Sequence, residues 1–567
     1  MGGLVRAVAM DLDGTLAHNN QMSETTRAAI AAARSRGLLM ILVTGRTGEL
    51  LDAQFPNLRA SFDGVVLENG AVLDVDGEER HLASPVDPEL VAVLRARGVD
   101  CTVGAVLVDV ATDDVVIVND VIGELGLDAQ VIRNRGRSMV LPAGVSKGTG
   151  LRRVLRELGL SPHNVLAAGD AENDLALLDA AEIGVAVANA VPSVKHHADL
   201  VLADENGAGV QGLLAGPVVG GSERVIADRH RVRIGRYLDD GSPVRVPGLG
   251  VNVLIRGSSG SGKSHLAGLL IERWLRRDYT VLVLDVEGDY QGLAHLPGVV
   301  TVNGAAAAAG AEPTGLLRHR STAIIVDLAG LDDDAVASVI RGLGPALDAE
   351  RAAWGMPHWV VLDEAHTSLG IGGAMEGLLR PNDRGFLLVT FRPEDLRPDV
   401  ASQIDVTITA VGRSETRKDR IALLSQPDGS TRAFSMAPRQ TPHVRHWHKY
   451  TTLPLPAHHW FRFTDDKGHE VAQATNVADF CRHIKDLDST IIWGHLERGD
   501  FSRWLVKALQ EYRLAALASA IERDVLARQA LELRRARERL VLAIEEFYGL
   551  DDESLESAGP GELSADY

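Results

Sequence analysis

Cysteines, aromatic side chains and long hydrophobic runs are all scarce in this chain of 567 residues. The two cysteines, Cys101 and Cys481, lie far apart without the spacing of metal ligands, which favours isolated thiols in a reducing compartment. Aromatics make up 4% of the residues, so hydrophobic cores must be built mainly from alanine, valine and leucine. No apolar run reaches the roughly 18 residues that a membrane helix requires, and the N-terminus lacks a signal-peptide pattern. These absences predict a cytoplasmic protein without a membrane partner.

Basic residues are also fewer than acidic ones, and the formal net charge is therefore −19. Residues 1–215 hold 29 acidic and 17 basic side chains. Binding to a nucleic-acid backbone needs a positive surface, so this balance disfavours nucleic acid spread over the N-terminal part. A local basic track elsewhere stays open, since residues 224–236 contain five arginines that could line a pore or contact another subunit.

The chain length suggests three or four domains, at a prior of about 150 residues per domain. In residues 1–215 strands such as LVRAVAM and LLMILVT alternate with amphipathic helices, which predicts an α/β fold with a doubly wound parallel sheet. An irregular α+β insert interrupts this pattern at about 80–140. Composition divides the remaining chain into four parts: a linker at 216–221, a second α/β domain at 222–440, a mostly helical accessory domain at 441–550 and a disordered acidic tail at 551–567.

The first candidate site begins with Asp11 and Asp13, which follow a predicted buried strand in the segment DLDGT. Carboxylates at the carboxyl end of a parallel strand lie where such sheets place their chemistry. Later segments supply a hydroxyl, a cation and an acidic pair: Thr44, Lys147, and Asp170 with Asp174. DLDGT alone is compatible with an ordinary turn or a calcium-binding loop, but four segments in this order favour a phosphoryl-transfer site.

These segments resemble the four motifs of the haloacid dehalogenase (HAD) superfamily. Glu68-Asn69-Gly70 and the segment VANAVPSVKHHAD are similar to the subgroup whose C2 cap lies between the second and third motifs. That subgroup contains the Cof-like, sugar-phosphate and phosphoglycolate phosphatases. The resemblance implies a Rossmann-like domain with an α+β C2 cap at about 80–140, and a phosphorylated small molecule as the substrate.

The resemblance also implies a role for each motif residue. Asp11 would be the nucleophile, Asp13 the general acid and base, and Thr44 a ligand of the transferring phosphoryl group. Lys147 would stabilise the charge of the transition state. A Mg²⁺ ion would be bound by these groups: Asp11, the backbone carbonyl of Asp13, Asp170 and Asp174.

The second candidate site is the glycine-rich segment GSSGSGKS, between a predicted strand and a predicted helix. It fits the pattern GxxxxGK[ST], in which backbone N–H groups surround phosphates, Lys263 reaches the β- and γ-phosphates and Ser264 binds Mg²⁺. In WVVLDEAH, Asp363 would hold the water shell of Mg²⁺ and Glu364 would polarise the attacking water. The residues predicted to bind ATP are Gly257, Ser258, Ser259, Gly260, Ser261, Gly262, Lys263, Ser264, Asp363 and Arg413, with Glu364 as the catalytic residue.

Two further segments, DVEGDY at 285–290 and FLLVTFRPEDL, resemble HerA/FtsK-type ATPases over roughly 222–440. The resemblance implies a RecA-like fold and a hexameric ring whose active sites form between protomers. Arg413 or Arg392 would be the arginine finger, with an ordinary structural arginine as the competing interpretation. Phe391 stands where the family has the glutamine of T-Q-R-P, and Glu287 would either assist the catalytic water or serve the loop.

The accessory region contains a histidine pattern, His443, His446 and His448, that could bind a metal but lacks any further ligand frame. Its aromatic residues are better explained as a small core, and Asp500 is predicted to cap an amphipathic helix.

The leading hypothesis is a bifunctional hydrolase. It combines a Mg²⁺-dependent phosphomonoesterase that forms an aspartyl-phosphate with a HerA-like ATPase ring that could act on nucleic acid. One alternative is a P-loop kinase paired with a phosphatase that heals nucleic-acid ends. Another is a phosphatase joined to a scaffold that binds ATP without hydrolysing it.

Overall fold

Short runs of valine, isoleucine, leucine and alanine form the buried strands in the computed structural model of the chain. By contact the chain divides into two units, one of residues 1–286 with 290–442 and one of 287–289 with 443–567. The structure describes these residues: 5–134, 136–258, 260–304, 322–329, 331, 333–369, 379–380, 383–413, 419–425, 429–441, 455, 459–509, 512–528 and 533–548.

The N-terminal part of the first unit is built on an eight-stranded sheet, in the order β12-β11-β10-β1-β2-β3-β4-β5. Six strands, from β12 to β3, are parallel, and β4 and β5 are antiparallel additions. In chain order the strands of this sheet and of the insert are β1 Ala7–Met10, β2 Leu39–Val43, β3 Gly64–Leu67, β4 Val72–Val75, β5 Glu78–His81, β6 Cys101–Val103, β7 Val108–Ala111, β8 Ala129–Asn134, β9 Arg137–Pro142, β10 Val165–Gly169, β11 Ile183–Ala186 and β12 Leu200–Val201.

Helices pack on both faces of this sheet, and its central strands are therefore apolar on both sides. The helices of this part of the chain, including α3 and α4 of the insert, are α1 Glu24–Ser35, α2 Gly48–Gln54, α3 Pro88–Ala96, α4 Val115–Leu125, α5 Lys147–Glu157, α6 Leu175–Asp179, α7 Pro192–His197, α8 Asn206–Ala215 and α9 Pro217–Gly220. The last of these lies in the glycine-rich segment predicted as a linker. Val218 and Val219 in that segment pack against the core of the domain, which is why it is ordered.

The insert is a domain of its own, with an antiparallel sheet in the order β6-β7-β9-β8 and a separate hydrophobic core beneath α3 and α4. It joins the main sheet after β5. The carboxylate of Glu68 accepts hydrogen bonds from the backbone N–H groups of Ala105, Val106 and Leu107, at 2.7–2.9 Å. This buried carboxylate therefore attaches the insert to the end of β3.

The C-terminal part of the first unit contains an eleven-stranded sheet, in the order β14-β13-β23-β22-β21-β15-β20-β19-β16-β18-β17. The seven strands from β21 to β17 are parallel, and the other four form an antiparallel extension. The strands are β13 Val232–Tyr237, β14 Pro243–Val246, β15 Val253–Arg256, β16 Val281–Asp285, β17 Val299–Asn303, β18 Ala323–Asp327, β19 Trp359–Leu362, β20 Phe386–Thr390, β21 Val406–Arg413, β22 Arg420–Ser425 and β23 Thr431–Met436. The described helices here are α10 Lys263–Leu275, α11 Asp333–Trp354, α12 Ala365–Ser368 and α13 Pro398–Ala401.

The two sheets of the first unit meet at the ends where their strands begin. Arg6, just before β1, donates a hydrogen bond to the carbonyl of Arg351. Asn164, just before β10, donates to the carbonyl of Gly355 at 3.0 Å and accepts from Nε2 of His358 at 3.2 Å. His358 directly precedes β19, so the carboxyl ends of both sets of strands lie away from this contact.

The second unit consists of a hairpin and helices that enclose an aromatic core. Its described elements are β24 Phe461–Thr464, β25 Glu470–Ala474, α14 Val477–Asp486, α15 Ser489–Arg498, α16 Asp500–Lys507, α17 Tyr512–Arg528 and α18 Leu533–Tyr548. Phe480 stacks on Trp504 at 4.2 Å, and Phe461 lies edge-on to Phe480 at 5.0 Å. Asp500 is not the cap of α16 but its first residue; Gly499 occupies the cap position, and Asp500 bonds Nδ1 of His495 instead.

Within the described ranges, no helix combines the length and the apolar character needed to cross a membrane.

Candidate active sites

The first site is a ring of buried carboxylates at the carboxyl ends of β1 and β10. These strands are parallel neighbours, with Met10 opposite Ala168, so Asp11 and Asp170 leave adjacent strand ends on the same side of the sheet. Asp174 follows in the next turn. Ligand oxygens of the three carboxylates lie within 4.8 Å of one another, and all three residues are buried.

Lys147, the first residue of α5, provides the positive charge inside this ring. Its Nζ lies 2.6 Å from Oδ1 of Asp11 and 2.6 Å from Oδ1 of Asp174, and the residue is 1% exposed. Burial lowers the pKa of Lys147, but its two carboxylate partners outweigh that effect and hold the pKa above its usual value. Lys147 therefore stays charged and fixes the orientation of Asp11.

The pKa of Asp11 is strongly perturbed. Burial raises its pKa well above the ordinary range, the charge of Lys147 opposes the rise, and the carboxylates of Asp174 and Asp170 add to it. A carboxylate surrounded by others in this way is stabilised as an anion by any further cation brought into the ring.

Asp13 lies outside the buried ring, on the side that opens to solvent. Its side chain is 43% exposed and forms two hydrogen bonds with the guanidinium of Arg46, at 2.7 and 2.5 Å. Thr44, which follows β2 and is fully buried, accepts a hydrogen bond from the backbone N–H of Arg46. Arg46 thus connects two predicted site residues, although the sequence interpretation assigned it no role.

The donor set fits a hard divalent cation. Four carboxylates against the two cations Lys147 and Arg46 leave a net charge of about −2, and carboxylate oxygens are the protein ligands that Mg²⁺ prefers. Gly14 brings the loop close to Asp170: its φ is +87°, and a Cβ there would lie 2.4 Å from Oδ2 of Asp170. Asp174 is oriented by backbone N–H groups of Asp170 and Ala171, at 2.8 and 2.9 Å.

The insert covers the entrance to this ring. A Cβ added to Gly45, next to Thr44, would lie 3.3 Å from Sδ of Met139 and 3.9 Å from Nδ2 of Asn134, both on strands of the insert. Asn69 accepts a hydrogen bond from Asn173 beside the acidic pair, at 3.0 Å. Met139 and Asn134 of the insert therefore lie directly beside the loop that carries Thr44.

The second site is the loop between β15 and α10. Gly257 and Gly262 have φ values of +148° and +102°, which L-residues rarely adopt, and α10 begins directly at Lys263. Nζ of Lys263 bonds the carbonyl of Ser258 at 3.2 Å. Ser261 and Ser264 are placed on the loop and in the first turn of α10, whereas Ser259 lies outside the described residues. The glycines and the N-terminus of α10 therefore lie in one loop after β15, the arrangement that phosphate binding uses.

Asp363 and Glu364 follow β19, which is separated from β15 by β20. Both residues are buried, and Glu364 has a left-handed backbone with φ +45°. Nδ1 of His366 lies 3.3 Å from Oε2 of Glu364 and 3.0 Å from Oγ1 of Thr390, the last residue of β20. His366 therefore connects the predicted catalytic glutamate to the strand that lies between the two motifs.

Phe391 occupies the position where a polar sensor was expected. Its ring lies edge-on to His366 at 4.8 Å, and Nζ of Lys263 is 5.9 Å from its centroid. His366, which bonds Thr390, therefore lies beside this position, and the sequence interpretation identified neither residue as part of the site.

The candidates for the arginine finger differ in where the structure places them. Arg413 ends β21 opposite Arg420 of β22. A Cβ on Gly262 would lie 3.1 Å from Nη1 of Arg420, so Arg420 reaches the phosphate-binding loop of its own chain. Arg392 is an exposed side chain that covers the ring of Phe391 at 5.0 Å.

Other predicted residues are less informative. Glu287 lies in the loop after β16, and the histidines His443, His446 and His448 fall outside the described residues.

Comparison with known proteins matches both halves of the first unit. The family of haloacid dehalogenase-like hydrolases matches residues 8–120 and 115–214, and the central domain of helicase HerA matches residues 232–340. The phosphoglycolate phosphatase of Methanothermobacter thermautotrophicus is 31% identical over 213 residues, which are 36% of this chain and 96% of the relative. That of Halorubrum lacusprofundi is 34% identical over 234 residues, 37% of this chain and 97% of the relative. A solved sugar phosphatase of HAD subclass IIB covers 39% of this chain and 100% of its own at 21% identity, with a TM-score of 0.33.

Proposed function

The chain belongs to the haloacid dehalogenase-like hydrolases, and from this premise we propose that residues 1–215 form a Mg²⁺-dependent phosphatase of small phosphorylated acids or sugars. The observation that carries the proposal is the pair of 2.6 Å contacts by which buried Lys147 holds Asp11 and Asp174 together. The names of the relatives favour 2-phosphoglycolate as the first substrate to test.

In the first step, a carboxylate oxygen of Asp11 forms a bond to phosphorus while the bond from phosphorus to the leaving oxygen breaks. Asp13, on the open side of the ring, donates a proton to that leaving oxygen. In the second step water attacks the aspartyl-phosphate, Asp13 takes a proton from the water, and Asp11 is released with inorganic phosphate. Arg46 holds Asp13 in place through its two hydrogen bonds.

The groups around Asp11 balance the negative charge of its carboxylate and of the phosphate. Lys147 offsets negative charge on Asp11 and on the phosphoryl oxygens, and Thr44 donates a hydrogen bond to one of them. Asp11, Asp170, Asp174 and the carbonyl of Asp13 would hold Mg²⁺. When bound, the ion supplies positive charge that lets an anionic carboxylate approach an anionic phosphate.

The test is hydrolysis of 2-phosphoglycolate and of a panel of sugar phosphates by the full chain with Mg²⁺. We expect Asp11→Asn to lose activity on the order of 10⁴-fold. Asp109→Asn is the matched control, because Asp109 is a surface carboxylate of the insert, paired with Arg137. Wild-type-like turnover in Asp11→Asn would refute the nucleophile.

For residues 222–440 we propose ATP hydrolysis by a RecA-like domain. The observation that favours hydrolysis over transfer to an acceptor is buried Glu364, held beside His366 and Thr390 on the strand between the two motifs. The match to the central domain of HerA supports ATP as the nucleotide. By the same resemblance we propose a hexameric ring, with Arg413 of one subunit reaching the nucleotide of the next, and nucleic acid as a candidate track.

The test is ATP turnover by the full chain, with and without single- and double-stranded nucleic acid, against Lys263→Ala and Glu364→Gln. Hydrolysis that requires both residues supports an ATPase, and stimulation by nucleic acid supports a motor. Phosphate transfer to DNA or RNA 5′ ends would favour the kinase alternative, whereas ATP binding without turnover in the wild type would favour the scaffold.

A further inference from the structure

A cluster of histidines surrounds one buried carboxylate at the junction between the phosphatase and ATPase domains. His163 lies in the turn before β10, and Glu182 lies directly before β11. His230 comes from the other side of the junction, in the turn that leads to β13. His163 and Glu182 are each 7% exposed, so this is an interior site.

The cluster is distant from both proposed active sites. His163 and Glu182 lie near the starts of β10 and β11, whereas Asp170 follows the end of β10. At about 3.3 Å per residue, a strand of this length separates the cluster from the carboxylate ring by roughly 15–20 Å. The hydrolytic mechanisms proposed above make no use of these side chains.

The three side chains converge at the spacing of metal ligands. Oε2 of Glu182 lies 2.6 Å from Nδ1 of His163 and 3.9 Å from Nε2 of His230. One ligand atom of each residue lies within 4.8 Å of a ligand atom of each of the other two. In a tetrahedral zinc site with bonds of about 2.0–2.1 Å, neighbouring ligand atoms lie about 3.3 Å apart. The distances from Glu182 to His163 and to His230 would therefore each change by less than about 1 Å on metal binding.

The surroundings resemble the outer shell of a metal site. Nε2 of His163 points at the carbonyl of Arg277 at 2.5 Å, which is the contact that orients a metal-bound imidazole. The ring of Tyr279 stacks on His163 at 3.7 Å, and its hydroxyl donates to Glu182 at 3.0 Å. Both ligands on the phosphatase side are thus held by residues of the ATPase domain.

The hydrogen bonds of the cluster show what a metal would replace. Nδ1 of His163 lies 2.6 Å from Glu182, and Nε2 of His230 donates a hydrogen bond to the backbone carbonyl of Ala181 at 3.1 Å. His230 would offer Nε2 to a metal after its ring hydrogen moves to Nδ1, which breaks the bond to Ala181. Arg229 lies beside the cluster, but its guanidinium is paired with Asp199.

We propose that His163, Glu182 and His230 bind one transition-metal ion with the ligand preference of Zn²⁺, and that this ion joins the phosphatase domain to the ATPase domain. Two imidazoles and one carboxylate select such an ion over Mg²⁺, which prefers oxygen ligands. Binding releases the proton that Nδ1 of His163 otherwise shares with Glu182. A crevice of about 90 Å³ is lined by His163 and Glu182 among others.

The test measures Zn²⁺ directly and does not depend on either activity. The full chain is stripped with a chelator, desalted, and titrated with Zn²⁺ in excess Mg²⁺ and without nucleotide, so that oxygen sites such as the carboxylate ring are filled by Mg²⁺. We expect one tight Zn²⁺ per chain in the wild type. Glu182→Gln and His230→Gln should bind it at least about 10–100-fold more weakly.

His197→Ala is the matched control, because His197 forms a similar pair with Asp179 at 2.7 Å on the exposed surface. It should bind Zn²⁺ as the wild type does. Co²⁺ substitution should give the visible absorption of a four-coordinate ion in the wild type and the control, and none in His230→Gln.

Two outcomes would overturn the proposal: a wild type that retains no Zn²⁺ in excess Mg²⁺, or a His230→Gln variant that binds as tightly as the wild type. The first would mean that the cluster holds only a proton between His163 and Glu182. Should Glu182→Gln fail to fold, His230→Gln decides the question, because His230 is only partly buried in a turn.

Discussion

The phosphatase domain and the proposed ATPase domain both place carboxylates at the ends of parallel strands, but they hold their lysines in different ways. Lys147 is enclosed between two buried carboxylates, 136 and 27 residues away in the chain. Lys263 bonds the carbonyl of Ser258, five residues away in its own loop. The first site is therefore an assembly of distant side chains, whereas the second is mostly a local loop.

Removing the lysine from each site should give the largest difference in activity and stability between the two domains. Lys147→Ala should reduce phosphatase activity by about 10³-fold, because it removes charge at the phosphoryl group. It should also lower the free energy of unfolding by about 3–5 kcal/mol, since two buried carboxylates lose their partner. Lys263→Ala should abolish ATP turnover with a smaller loss of stability and unchanged phosphatase activity. Both assays and urea denaturation on the two variants test this, and equal losses of stability would contradict the comparison.

Next in size is the effect of a methyl group at Gly14. Gly14→Ala places a Cβ against Oδ2 of Asp170 and should reduce phosphatase turnover by about 10²-fold, as expected for a misplaced catalytic group, without changing ATP turnover. Gly37→Ala is the control, because Gly37 has φ +86° but nothing within 4 Å of the added carbon. It should cost about 1–2 kcal/mol of stability, measured by urea denaturation, and no activity. Similar activity losses in both variants would point to backbone strain instead of the contact with Asp170.

A smaller effect is expected in the ATPase domain at His366. We expect His366→Ala to lower kcat for ATP by up to about tenfold with little change in KM. Glu364 loses the imidazole that lies 3.3 Å from its carboxylate, and the hydrogen bond between His366 and Thr390, worth about 0.5–1.5 kcal/mol, is lost. His366→Gln, which can still bond Thr390, should recover part of kcat. The prediction fails if both variants match the wild type, or if KM rises while kcat is unchanged.

The smallest expected effect is a pH dependence of the stability of the second unit. Nε2 of His495 accepts a hydrogen bond from the backbone N–H of Thr464 and Nδ1 bonds Asp500, and burial lowers the pKa of this histidine although Asp500 opposes the shift. Below about pH 6.5 the unfolded chain takes up a proton that folded His495 does not. The stability of this unit should therefore fall as pH drops below that value.

Hydrogen exchange of peptides from residues 461–507 at pH 7 and at pH 5.5 measures this change. His495→Gln should show a shallower dependence on pH than the wild type. An equal slope in the two proteins would assign the dependence to other groups.

Much of each candidate site was predictable, because its motifs are short and contiguous. The strand before Asp11, the turn at Gly14 and the loop before Lys263 depend on neighbours in the sequence, and the structure places them at strand ends as expected. Arg46, His366 and Arg420 were not predicted as site residues. Arg46 follows Thr44 by two residues and His366 follows Glu364 by two, so adjacency to a motif was the available signal for both.

No such signal existed for Arg420. It reaches Gly262 only because β22 pairs with β21, which lies next to β15. The cap at Asp500 was predicted wrongly because its side chain bonds His495, five residues earlier in the chain, and Gly499 takes the cap position.

By itself, the sequence determined the two sets of motifs and their order along the chain, since glycine-rich loops and strand-end carboxylates are encoded locally. Only the tertiary structure decided that Lys147 is shared by Asp11 and Asp174, and that His163, Glu182 and His230 meet at the domain junction. Those contacts join positions tens to hundreds of residues apart, and their geometry depends on how complete sheets pack, which no local pattern encodes.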